Sequence, residues 1–198
     1  MKDLTEIKLT LYFTIAYLAI FTALAILKGN YEFVYYIFIM ASLLVLTVYY
    51  YKKIHLTLLM LTGLSLLGIM HVMGGVVSIG ATQLYYVYLI PGIFRYDNLV
   101  HSFGVFLATF AIYGLVRPYL LKKTEHNSFV FCFILVSSAM GVGAFNEIIE
   151  LIAVLFFNAQ QGVGEYLNNA FDLVFNLFGT LVACFVIMKY HLRSNGNT

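Results

Sequence analysis

Four of the nine acidic residues in this sequence, Asp97, Glu147, Glu150 and Asp172, lie inside or at the edge of long apolar runs, and His71 and His101 join them. Ionisable side chains in such runs are costly in hydrocarbon and face a bundle interior or a wet cavity. Their spacing is helical: Asp97 with His101 and Asp172 with Asn176 at i,i+4, Glu147 with Glu150 at i,i+3. Each pair therefore shares one helix face. Four carboxylates converging in low dielectric cannot all stay ionised and unpaired. They must protonate, pair with a cation such as imidazolium or Arg95, or bind metal. Two imidazoles with several carboxylate oxygens suit zinc, manganese or iron better than magnesium alone. A bound ion would polarise a phosphoryl or carbonyl oxygen and activate water. On this reading Asp97, His101, Glu147 and Glu150 are the candidate catalytic acids and bases. The same four with His71 and Asp172 are the candidate metal ligands, and Asn176 supports them.

The elements that must position these residues are membrane helices. The 198 residues are 62% hydrophobic and 10% charged, against about a quarter charged in soluble domains. Six runs reach spanning length, at residues 9–27, 31–51, 56–80, 98–116, 128–157 and 168–189. The expected fold is all-α, a single six-helix membrane bundle with no soluble domain appended. The first run follows Lys2 and Lys8 as a signal peptide would, but its full spanning length predicts a retained helix. Residues 81–96, with several tyrosines and Pro91-Gly92, are too short and interrupted to span, and suit an interfacial or re-entrant segment.

Basic residues predict the orientation. Lys2, Lys8, Lys52, Lys53, Arg117, Lys122, Lys123, Lys189 and Arg193 fall on one side, and only Lys28 and Arg95 on the other. The positive-inside rule then places both termini in the cytoplasm of a plasma (inner) membrane, with lipid as the surrounding partner. Counted from the outer helix ends at about 1.5 Å per residue, His101 and Asp172 lie about 6 Å deep, Glu150 about 10 Å, Asn176 about 12 Å, His71 about 13 Å and Glu147 about 15 Å. Four helices thus bring polar groups to one leaflet. The net charge of +2 forms no basic stripe, which argues against nucleic acid. Cys132 and Cys184 sit singly in apolar runs and read as packing thiols. His55, His126 and His191 accompany the basic loops, Glu165 reads as a solvated loop charge, and the glycines suit close helix approach.

The run Tyr96-Asp97-Asn98-Leu99-Val100-His101, followed by Asn146-Glu147-Ile148-Ile149-Glu150, resembles the YjdF-like predicted inner-membrane proteins. That family combines a Tyr-Asp-x-x-x-His segment, a Glu-x-x-Glu segment and an acidic turn into a final helix. Asp172 and Gly179 fit its last element, whereas Glu165 and Asn168 stand where the family often has aspartates. The resemblance spans about residues 56–182 and implies a helix count and a choice of polar residues, not a reaction. A Tyr-Asp-x-x-x-His-like element also occurs in VanZ-like membrane proteins.

Three functions are compatible with these residues. The first is a metal-dependent enzyme acting on a lipid or lipid-linked headgroup at the outer interface. The second is a small cation- or proton-coupled transporter. The third is a structural or assembly protein whose polar network holds helices together.

Overall fold

A computed structural model of the chain describes residues 2–50, 56–120, 128–157, 159 and 166–195. Its long helices are α1 (Lys2–Leu27), α2 (Tyr31–Tyr50), α3 (Leu58–Val76), α4 (Tyr96–Val116), α5 (Ser128–Phe157) and α6 (Tyr166–Asn195). Among the described residues these provide six helices long and apolar enough to cross a membrane. His55, His126, Glu165 and the pairs Lys52–Lys53 and Lys122–Lys123 lie outside the described residues.

The outward faces are those of a lipid-solvated bundle. Along α6, Phe171, Phe178 and Phe185 recur every seven residues and are 53%, 60% and 64% exposed. Water would not tolerate such a stripe, and hydrocarbon does. The opposite face of α6 buries Asp172, Asn176, Thr180, Ala183, Cys184 and Ile187 at helical spacing. Small and polar residues let helices close up where lipid supplies no hydrophobic drive for association. The most extensive helix pairing is accordingly α4 with α6. A Cβ built on Gly179 would stand 2.0 Å from the Ser102 carbonyl oxygen, and Ser102 Oγ donates to the Phe175 carbonyl at 3.0 Å.

Around this pair, α4 also contacts α3 and α5, while α1 lies against α3 and α2. Thr14 Oγ1 and Ser65 Oγ share a 2.6 Å hydrogen bond between α1 and α3, and Tyr17 donates to the Ser65 carbonyl at 3.1 Å. Tyr35 of α2 stacks on Phe157 of α5 at 4.7 Å. Cys132 and Cys184 are free thiols, and Cys184 sits in an apolar cluster with Phe131, Leu135 and Ile187.

Between α3 and α4 the chain forms two small antiparallel hairpins. The first pairs β1 (Ser78–Ile79) with β2 (Thr82–Gln83), and the second pairs β3 (Tyr88–Ile90) with β4 (Phe94–Arg95). A 3₁₀ turn, Leu84–Tyr86, joins them. Gly80 at φ +62° and Gly92 at φ +72° make their turns, a conformation side chains with a Cβ resist. This corrects one expected boundary: α3 ends at Val76, not at residue 80. Val77 is extended and closes the helix with an N–H bond to the Met73 carbonyl. His71 therefore lies only about 8 Å from the end of its helix. At the other boundaries α1 and α6 run beyond their apolar spans, and α4 begins two residues earlier, at Tyr96.

Candidate functional site

The polar residues of α4, α5 and α6 meet at the end of the bundle that carries the hairpins. His101 is their hub and is buried. Its Nε2 lies 3.4 Å from Asp97 Oδ1, 3.5 Å from Glu150 Oε1 and 3.8 Å from Asp172 Oδ1, and its Nδ1 lies 3.7 Å from Glu147 Oε1. One imidazole thus faces four carboxylates from three helices.

Local sequence explains the convergence. Asp97 and His101 lie one turn apart at the start of α4, where the Arg95 N–H donates to Asn98 Oδ1 at 2.9 Å and fixes the first turn. Asn98 also offers its Nδ2 to Asp172 Oδ1 at 3.4 Å, and Asn168 donates to Asp172 Oδ2 at 2.8 Å. Asn146 holds Glu150 Oε1 at 2.7 Å. Carboxamides therefore orient two of the four acids. The sequence carried this signal, since Asn146–Glu150 and Asn168–Asp172 both have i,i+4 spacing, but only Asn176 among the asparagines was expected to take part.

Two members are conspicuously unsatisfied. Both Glu147 oxygens and both polar atoms of the Asn176 side chain are buried without a hydrogen-bond partner. Buried polar groups are nearly always paired, so orphaned ones mark a site needing explanation. Gly143 gives Asn176 its room, because a Cβ there would stand 2.7 Å from Asn176 Nδ2.

His71 stands apart from the hub. Its Nδ1 shares a 2.5 Å hydrogen bond with the Tyr85 hydroxyl, and the rings of Phe33, Tyr36 and Tyr85 lie 5.4–5.7 Å away. Tyr85 and Tyr86 lie in the segment between the spans. Burial, and then the charges of Asp97 and Glu150, push the Tyr85 hydroxyl well above its ordinary range. Burial, and then Glu32, Asp97 and Glu150, push Tyr86 up to about 12, with Arg95 opposing. Both phenols remain protonated at neutral pH, so Tyr85 can donate to His71. Glu32, at the start of α2, is a buried acid that sequence reasoning passed over.

The fit to a cation can be judged from the distances. Separations of 3.4–3.8 Å exceed the ~2.7–2.9 Å of a charge-assisted hydrogen bond. They resemble the about 3.3–3.6 Å between neighbouring ligands on a four-coordinate ion with bonds of ~2.0–2.2 Å. Two sets have donor atoms within 4.8 Å of one another: Asp97, His101 and Asp172, and His101, Glu147 and Glu150. The arrangement is therefore not one tetrahedron of all five residues but two triads sharing His101. His71 belongs to neither.

The family model described as predicted membrane protein (DUF2238) matches residues 9–193. The chain belongs to the DUF2238 family. For this DUF2238 protein the YjdF-like resemblance is consistent with that match, and the VanZ-like one is not shown. No curated protein and no solved structure matches it. The match covers all six apolar helices from residue 9 onward and every residue of the two triads.

Proposed function

We propose that this DUF2238 protein is a membrane-embedded, divalent-metal-dependent enzyme acting on a lipid or lipid-linked headgroup at the outer face. The observation that carries the reading is the convergence of Asp97, Glu147, Glu150 and Asp172 on the His101 ring, at 3.4–3.8 Å. One imidazolium cannot balance four carboxylates in a buried site, and a cation relieves the remaining repulsion. Asp97, His101 and Asp172 would hold zinc, manganese or iron, leaving a position open to water or substrate. A cation bound there would supply Lewis-acid polarisation and an acidified water. Glu147 and Glu150 stand beside the triad as general acid or base, with Asn146 orienting Glu150. Asn98 and Asn168 position Asp172.

Transport through the same cluster is less well supported. The acids of the described spans other than Glu6 all lie in the hairpin half. In the other half, the Thr10 hydroxyl donates to the Glu6 carbonyl, Thr14 to the Thr10 carbonyl, and Thr14 and Ser65 share a hydrogen bond.

Elemental analysis of detergent-purified protein should find about one or two divalent ions per chain. Asp97→Asn and Asp172→Asn should each lower that content at least tenfold at a fixed free-metal concentration, and a chelator should lower the melting temperature of wild type only. Mass spectrometry of proteoliposome lipids should show headgroup loss or transfer with wild type and none with Asp97→Asn. Metal-free wild type whose melting ignores chelator would end the metal reading and favour a shared-proton network.

The reading also needs the hairpins outside and the termini in the cytoplasm. In a background with Cys132 and Cys184 replaced by alanine, Thr82→Cys should react with impermeant maleimide on intact cells. Lys52→Cys should react only after permeabilisation. The reverse pattern would invert the orientation.

A further inference from the structure

A cavity of about 550 Å³ opens from the polar cluster into the interior of the bundle. At one end stand His71, His101, Asn146, Glu150 and Asn176, and at the other Ile7, Leu11, Val48 and Leu61. On α3 the lining runs from Leu61 to His71 and on α2 from Tyr36 to Val48, which is about 15–18 Å of helix. That is half of a hydrocarbon core about 30 Å thick, the depth of one leaflet. A volume of about 550 Å³ over that length corresponds to a mean width of about 7 Å, enough for one extended hydrocarbon chain.

The wall is less polar than its residue types suggest. Tyr17 donates to the Ser65 carbonyl, Thr14 and Ser65 bond each other, and Thr10 is turned back on its own helix. Hydroxyls whose donors are committed to neighbours attract water less strongly, and apolar cavities stay dry. Gly104 and Ala108, one and two turns below His101, keep the passage open on the α4 side. The lumen is therefore shaped like a lipid molecule: a polar pocket about 8–17 Å below the hairpin-side helix ends, continued by an apolar shaft about as long as one leaflet is deep.

We propose that this cavity takes one acyl chain of a membrane phospholipid and presents its phosphate headgroup at His101 and Glu150, the cluster residues that line it, beside the Asp97–His101–Asp172 triad. The inference rests on the cation-binding reading of that triad, because four bare carboxylates would repel a phosphate and a bound cation attracts it. It names the substrate class, a glycerophospholipid drawn from the bilayer with its chain inside the protein.

The test uses phosphatidylglycerol bearing a diazirine midway along one chain, with full-length protein in nanodiscs. After irradiation, adducts should map to inward residues such as Met40, Leu64 and Val105. Ala108→Phe and the smaller Gly104→Val should each cut those adducts at least fivefold, without changing gel-filtration behaviour. Outward adducts on Phe145 and Phe178 should persist in both. Wild-type adducts confined to outward residues, a result that needs no variant, would overturn the proposal, as would inward labelling undiminished by both plugs. Displacement of the label by polyprenyl phosphate but not by unlabelled phosphatidylglycerol would overturn the phospholipid assignment. Metal measured on the same samples separates the two readings. Bound metal without inward labelling removes the chain site alone, whereas plug-sensitive labelling in metal-free protein removes the cation reading and with it the headgroup contact.

Discussion

Replacing Gly179 with valine should collapse the yield of folded, monodisperse protein and lower its melting temperature by about 6–12 °C, as expected for a loss of about 3 kcal/mol. The cause is local. A Cβ at this position meets the Ser102 carbonyl oxygen at 2.0 Å, and a backbone atom inside a helix cannot swing aside as a side-chain tip can. The two helices must separate, which breaks the Ser102–Phe175 bond and moves Asp172 away from His101. Gly141→Val is the matched control, because a Cβ there meets nothing within 4 Å and valine has a better helix propensity than glycine. Size-exclusion yield and thermal unfolding in detergent decide the matter. Equal behaviour of the two variants would mean that the α4–α6 seam is looser than described.

The second large effect separates chemistry from architecture. Glu147→Leu should leave the protein folded, with unchanged or slightly raised melting temperature, while headgroup turnover disappears. The Glu147 oxygens are buried and accept no hydrogen bond; their one charged contact is His101 Nδ1 at 3.7 Å, an imidazole that three other carboxylates already face, so the fold gains little from them and bears their desolvation. Residues kept for function commonly behave this way, weakening stability where they serve activity. Ser137→Ala on the exposed side of the same helix should alter neither property. If Glu147→Leu aggregates while Ser137→Ala does not, Glu147 ties helices together and the catalytic assignment fails.

Much of this arrangement was legible in the sequence, and the particular misses have physical causes. Apolar run length marks a span because hydrocarbon thickness sets it, so all six spanning helices could be located. It does not mark where a helix stops. Val77–Ile79 extends the apolar run of α3 but leaves the helix for a strand, and a short apolar stretch has no period to distinguish the two. Conversely, α1 begins at Lys2, outside its apolar run, because helix continues where hydrocarbon does not. Depth arithmetic brings Asp97, His101, Glu147, Glu150 and Asp172 to one leaflet. It could not say that His101 is the hub while His71 lies among aromatic rings, since that depends on helix rotation and on Tyr85 reaching back from the hairpin segment. Asn98, Asn146 and Asn168 were overlooked because carboxamides carry no charge, yet they hold the charged groups in place.

Lys28 and Arg95 have a bearing on how the chain reaches its final topology. In the proposed orientation they are the two basic residues that the insertion machinery must carry across the membrane. Each then finds a fixed partner. Lys28 Nζ donates to the Val76 carbonyl at 2.6 Å, at the C-terminal end of α3, where a cation also meets the negative pole of the helix. Arg95 donates to the Tyr88 hydroxyl at 3.0 Å, lies 5.0 Å above the Tyr88 ring and reaches Asn168 Oδ1 at 3.5 Å. Removing either charge would sharpen the topological signal read during biogenesis and remove a clasp from the finished fold. The asymmetry of basic residues is incomplete at the two places where translocation and folding make opposite demands.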